Sequence, residues 1–193
     1  MTARRRAAAW AGAVTLGWSA LMLALYFAIA ALRPDWGYAA TATATLAGLA
    51  LVLVVWLWRG GLWAAAGLAR VRPDRPALLI LPLLLALVPL AAGVAPVEAP
   101  ILAVMVAGYA LTGFVEEGMF RGILLDRLRP QGEHFAAAVT AVLFGLMHLG
   151  NILMRGQLAP ILGQVVGAAC FGFGYAALRL RTGTLWPLVG CMP

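Results

Sequence analysis

Six stretches of this chain run for about twenty residues with almost no charge, and nothing else constrains its fold as strongly. A helix rises about 1.5 Å per residue, so about twenty apolar residues cross the ~30 Å hydrocarbon layer of a membrane. Hydropathy places these segments at residues 9 to 32, 39 to 58, 77 to 97, 100 to 125, 135 to 154 and 158 to 178. Inside lipid every backbone N–H and C=O must find its partner within the protein, and for runs of this length the helix is the form that achieves it. The expected fold is therefore all-α, a polytopic transmembrane helix bundle of six full spans plus a truncated seventh. That seventh piece, GTLWPLVGCMP from Gly183 to Pro193, has eleven residues, too few to cross. The chain, 1–193, reads as one membrane domain. Its composition fits, with 64% hydrophobic and 11% charged residues, where a soluble domain has roughly 45–50% and 25%.

The formal net charge of +7 would suggest a nucleic-acid partner in a soluble protein. Here all fourteen basic residues are arginine and most lie between spans, where orientation signals belong, so no nucleic acid is expected. Alternation from a cytoplasmic N-terminus gathers Arg4, Arg5, Arg6, Arg59, Arg70, Arg72, Arg75, Arg127, Arg129, Arg179 and Arg181 on the cytoplasmic side, and only Arg33 and Arg155 on the other. Ala28-Ile29-Ala30 resembles a signal-peptidase site, but the apolar run before it exceeds the 7–15 residues of a secretory signal, so a retained first span is expected. Cys170 and Cys191 lie in apolar stretches and read as small packing residues. Gly163 and Gly167, spaced G-x-x-x-G in the sixth span, read as a helix-packing face.

The fourth span carries charge where it is most costly. FVEEGMFRG, from Phe114 to Gly122, holds two glutamates and an arginine, and each charge at mid-bilayer costs at least about 2.5–3.5 kcal/mol. Glu117 and Arg121 are i and i+4 on a helix and pair on one face, which leaves Glu116, turned about 100° away, unneutralised. The fifth span supplies FGLMHLGN, with Phe144 and His148 one turn apart and Asn151 at i+3 from the histidine. Counted from their cytoplasmic ends, Glu116 and His148 lie roughly 14 and 20 Å deep. A carboxylate and an imidazole both brought near mid-membrane are the elements of general-base catalysis on water, or two of the three protein ligands of a catalytic zinc. His134, in the loop QGEH, reads as an interfacial residue without a role in that site.

These pieces, E-E-x-x-x-R at Glu116, Glu117 and Arg121 and F-x-x-x-H at Phe144 and His148, resemble the CPBP family of intramembrane endopeptidases, the CAAX protease and bacteriocin-processing (Abi-like) proteins. The similarity runs from about Gly108 to the C-terminus and includes GYAALRLRTGTLWPL. It implies a bundle of about eight helices around a polar cavity, and hydrolysis by an activated water of a bond presented near the cytoplasmic side. Glu116 and His148 would be catalytic, with Glu117, Arg121, Phe144 and Asn151 supporting. A divalent metal such as zinc is an implied cofactor, with Glu116 and His148 as its candidate ligands. The implied partners are membrane lipids and a hydrophobic or membrane-bound peptide or protein substrate, and the implied location is a bacterial cytoplasmic membrane. The family's second histidine, with an asparagine four residues on, falls by register near Met192, where this sequence has neither. That leaves two alternatives to a protease: a catalytically impaired member holding a peptide or lipid, as in bacteriocin immunity, and a small transporter using Glu116 and Glu117 as proton carriers. The transporter reading lacks the paired broken helices of inverted repeats.

Overall fold

The computed structural model describes residues 2–88, 91, 93, 96–156 and 158–190, and no strand occurs among the described residues. Five helices are long and apolar enough to cross a membrane: α1 (Ala3–Leu32), α2 (Tyr38–Arg59), α4 (Ala99–Gln131), α5 (Glu133–Arg155) and α6 (Leu158–Thr182). Between α2 and α4 lies the short α3 (Ile80–Leu87), and α7 (Trp186–Val189) follows α6. The sequence-based third span, 77 to 97, is thus helical over Ile80–Leu87, and residues 89, 90, 92, 94 and 95 of it lie outside the described residues.

The long helices expose their apolar side chains, as a lipid-facing surface requires. Leu16, Leu32, Leu51, Trp58 and Val166 all point outward. Burial is reserved for narrow stripes. On α2 the buried residues are Thr41, Thr45, Leu49, Leu53 and Leu57, a spacing of four that keeps one line of the helix turned inward. The threonine hydroxyls in such stripes need partners where water is scarce, and they find them on their own helix. Thr15 donates to Ala11 O (2.9 Å), Thr45 to Thr41 O (2.8 Å) and Thr140 to Ala136 O (2.8 Å).

Two relationships position everything else. Helices α5 and α6 form an antiparallel pair in which Gly145 leaves room for the α6 backbone: a Cβ there would come within 2.6 Å of Val165 O. Gly163 and Gly167 do not pack in this way. No described atom lies within 4 Å of a Cβ built on either, so the G-x-x-x-G reading is corrected, and the close approach on α6 belongs to Val165, Ala169 and Gly172. Second, α2 and α4 run parallel: Gly108 lies against Thr43, and Gly118, ten residues on, against Leu53. Parallel neighbours need a connection that returns from one end of the bundle to the other, and residues 60–98 make that return.

At one end, the segment after α2 is bonded to the segment after α6. Asp74 N–H donates to Thr182 O (2.9 Å) and Leu185 N–H to Gly67 O (2.9 Å). Trp186 Nε1–H reaches Leu68 O (2.9 Å), Arg179 reaches Ala65 O (2.9 Å), and the Thr184 hydroxyl bonds Arg70 O. Gly67 has φ +76°, and a Cβ there would run into the Arg179 guanidinium, so the turn requires glycine twice over. Arg4 bonds Gln131 O (3.2 Å), and Arg127 lies over the Trp10 ring. The arginines set apart by sequence position therefore gather at this end, whereas Arg33 and Arg155 sit at the other, Arg155 bonded to Tyr38.

Candidate active site

Midway along α4 the backbone widens. Residues Gly118–Leu124 form a π-helical turn, and all seven are buried. Such wide turns are rare, and they displace the side chains of one helical face relative to a regular helix. Two glycines, Gly118 and Gly122, let neighbours close on this turn, with Leu53 and Ala66 taking the space that a Cβ would need.

The ion pair read from the sequence is present at the entry to this turn. Arg121 Nη1 lies 2.9 Å from Glu117 Oε1, with side-chain exposures of 1% and 0%. The atoms are close but not aligned as a hydrogen bond, so the attraction is chiefly Coulombic. The guanidinium carbon is also 4.1 Å from the centre of the Phe144 ring, which supplies a π-face to the cation. On α6, Gly172 is the clearance for this group: a Cβ there would lie 2.9 Å from Arg121 Nη2. Three helices therefore converge on one buried charge. Phe144, named from the sequence as a supporting residue, is the platform for that charge and also meets the Phe120 ring edge-on at 5.1 Å.

Glu116 takes no part in the pair. It lines a cavity of about 740 Å³ together with Arg121, Phe144, His148, Asn151 and Tyr175. The helices carrying the two sequence motifs thus bring Glu116 and His148 to one space. His148 stands where α5 tightens into a 3₁₀ turn, His148–Gly150. Its Nδ1–H donates to Phe144 O at 2.8 Å, which in the neutral ring leaves Nε2 with the free lone pair. The Phe144 ring packs edge-on against the imidazole at 4.9 Å and fixes its plane. Asn151 also lines the cavity, and its amide donates to Gln164 Oε1 of α6 at 3.0 Å.

Buried residues such as Arg121, Phe144, Met147 and Tyr175 form the cavity's floor, and exposed ones such as Tyr38, Ile101 and Arg155 form its mouth. None of the eleven segregated arginines lines it. The exposed rim at Tyr38, Ile101 and Arg155 lies at the arginine-poor end, and the exposed side chains of Tyr109 and Phe171 also line the cavity. The polar residues Asn151 and Arg155 of α5 continue the line from His148 away from the arginine-rich end.

Sequence reasoning missed Gln164, Tyr38 and Arg155 as cavity residues. Gln164 had a usable signal, an uncharged amide in the middle of the sixth span. Arg155 was absorbed into the orientation tally. His134 is exposed and remote from the cavity lining, as expected; Cys170 is exposed on α6, not packed, and Cys191 lies outside the described residues. Position 192, where register placed a second histidine, also lies outside them. Among the described residues no three His, Cys, Asp or Glu side chains gather to hold a metal ion.

A multi-pass helical bundle with a carboxylate and an imidazole facing one internal cavity is the class that this fold and site define. Residues 98–191 match the family described as Rce1-like, "Type II CAAX prenyl endopeptidase Rce1-like". The match contains both motifs and supports the CPBP resemblance. No curated protein and no solved structure matches the chain. With its five long apolar helices, the chain is an integral, multi-pass membrane protein.

Proposed function

We propose that this protein is an intramembrane endopeptidase that hydrolyses a peptide bond with a water held between Glu116 and His148. The observation that carries the reading is that both side chains line the same cavity while the neighbouring carboxylate, Glu117, is taken up by Arg121. A water has two protons, and the site offers two acceptors, the Glu116 carboxylate and the Nε2 left free when His148 Nδ1 bonds Phe144 O. Held by both protons, the water turns a lone pair toward a substrate carbonyl in the cavity. As the O–C bond forms, Glu116 takes one proton, and it returns that proton to the amine nitrogen when the C–N bond breaks. Glu117, Arg121 and Phe144 are positioning residues that fix the π-helical turn next to Glu116.

Glu116 and His148 are also the pair that a divalent ion such as zinc would take. When bound, such an ion would add Lewis-acid polarisation of the water. Two ligands are one fewer than catalytic zinc usually has, and no step above depends on the ion.

The topology that goes with this reading has the N-terminus and the arginine-rich end in the cytoplasm, and six crossings, the third made by residues 76–98. The parallel run of α2 and α4 supports that count, because the chain must return between them. The rim at Tyr38, Ile101 and Arg155 then faces away from the cytoplasm. In intact cells, cysteines introduced at position 35 should label with impermeant reagent and those at 72 should not; the reverse pattern overturns the orientation.

The test of the activity is cleavage of membrane-inserted peptides in proteoliposomes by the wild type, Glu116→Gln and His148→Gln. Each variant should keep its thermal midpoint and lose about 10²- to 10⁴-fold in rate. A wild type that binds such peptides without cutting them would favour the binding or immunity alternative.

A further inference from the structure

At the arginine-rich end, one backbone hydrogen bond brings two unpaired cations together. Asp74 N–H donates to Thr182 O (2.9 Å); Arg75 follows the donor in sequence and Arg181 precedes the acceptor. Two residues before Asp74 stands Arg72, on a segment pinned a second time where the Thr184 hydroxyl bonds Arg70 O. All three arginines are exposed, and none forms an ion pair among the described residues. The acids of this junction are already engaged. Asp74 pairs with Arg70 at 2.6 Å, and Asp126 acts on the charge of Arg179, whose guanidinium also donates to Ala65 O. Arg72, Arg75 and Arg181 are thus set on one backbone junction with no carboxylate left to offset them. Guanidinium groups in that state suit an oxyanion, above all a phosphate.

What surrounds the junction points to a phosphate carried by a lipid. Directly after Arg75 the chain enters the 3₁₀ turn Pro76–Leu79, which packs against α6, and then α3. Leu78, Ile80, Leu81 and Leu84 are exposed there, so an apolar face begins where the charge ends. Trp186, four residues after Thr182, is exposed as well, and its ring is held by the bond from Nε1–H to Leu68 O. Tryptophans of membrane proteins concentrate at the level of the lipid headgroups. A free phosphate would use the cations and leave the apolar face bare, whereas a phospholipid with a net negative headgroup uses both.

We propose that Arg72, Arg75 and Arg181 bind the headgroup of an anionic phospholipid whose acyl chains lie along the exposed face of the Pro76–Leu79 turn and α3. The site is separate from the cavity of Glu116 and His148, whose lining contains none of these arginines, and it does not depend on the peptidase reading. Its distinguishing mark is locality. Arg4, Arg5 and Arg6 carry as much charge at the same end, but they belong to α1, where Arg4 bonds Gln131 O.

The experiment uses the full chain in an uncharged detergent and measures binding of chain-labelled fluorescent phosphatidylglycerol and of phosphatidylcholine with the same chains. Phosphatidylglycerol should bind roughly 100-fold tighter, because each arginine near an anionic headgroup contributes about fivefold in affinity. Arg72→Gln, Arg75→Gln and Arg181→Gln should each lose about fivefold, and the three together should erase the preference. Lysine at all three positions should keep most of it, and each variant should retain its thermal midpoint. Glutamine in place of Arg4, Arg5 and Arg6 together should leave the preference unchanged. An equal loss from that control overturns the proposal, because the attraction would then be diffuse. Equal binding of the two lipids by the wild type overturns it too. So does displacement of the label by inorganic phosphate, which would mark a free-anion site, or by poly-glutamate, which would mark a surface for an acidic protein.

Discussion

At the arginine-rich end of the bundle, the turn after α2 and the segment after α6 are joined by backbone and side-chain hydrogen bonds, with Leu185 and Leu188 completely buried beneath them. At the other end α1, α2, α4, α5 and α6 stand around a cavity whose rim is exposed, and the bonds near that rim include Asn151 to Gln164 and Arg155 to Tyr38. One end holds the helices in fixed relation; the other encloses a cavity of about 740 Å³. The buried Glu117–Arg121 pair lies at the junction, with Arg121 lining the cavity of the open half. The difference shows how a small membrane protein combines rigidity with access. Closing one end holds α4 and α5, which carry Glu116 and His148, while the cavity that these two residues line stays open at its rim.

The sharpest way to break this division is to attack the junction. Arg121→Ala leaves Glu117 buried and uncompensated, and it should cost about 3–5 kcal/mol. Removing both charges as Arg121→Ala with Glu117→Ala should recover part of that loss. The yield of folded, detergent-extracted protein and its thermal midpoint measure both. Equal yields for Arg121→Ala and Glu116→Gln would show that the pair is not structural.

A smaller effect is expected where α5 and α6 touch. Gly145→Ala pushes a methyl against Val165 O and should cost about 1–3 kcal/mol. Gly163→Ala meets open space and should change stability by no more than about 0.5 kcal/mol. Thermal midpoints of the two variants in one detergent compare them. If Gly163→Ala proves the more damaging, the corrected packing face is wrong.

Smaller again is Trp186→Phe, which removes the indole donor to Leu68 O at the closed end. About 1 kcal/mol should be lost, and peptide binding in the cavity should be unchanged. A large drop in binding would mean that the two ends are coupled more tightly than their contacts suggest. The smallest change should come from Glu133→Gln, since the Arg129–Glu133 pair (3.2 Å) is solvent-accessible on both sides. Its loss should be worth roughly 0.2–1 kcal/mol and should shrink further in high salt.

What the sequence determined by itself was the part governed by local rules. Helical spans follow from apolar run length because lipid offers the backbone no other partner, and five of the six expected spans are long helices. The pairing of Glu117 with Arg121 follows from i, i+4 spacing, and the contrast between Arg33 and Arg155 and the other loop arginines follows from counting. The shared cavity of Glu116 and His148 was legible as soon as charge cost and helix depth were considered together. The tertiary structure alone decided what depends on how helices face one another. Gly163 and Gly167 have the spacing of a packing motif but no described atom within 4 Å of a Cβ placed there, while Gly145 and Gly172, without a motif, make the close approaches, because packing depends on helix rotation and not on spacing. Only the fold turned Arg155 from an orientation signal into part of the cavity mouth, by setting the end of α5 beside the start of α2. Nothing in either segment encodes that contact, since Tyr38 and Arg155 meet across 117 positions of chain.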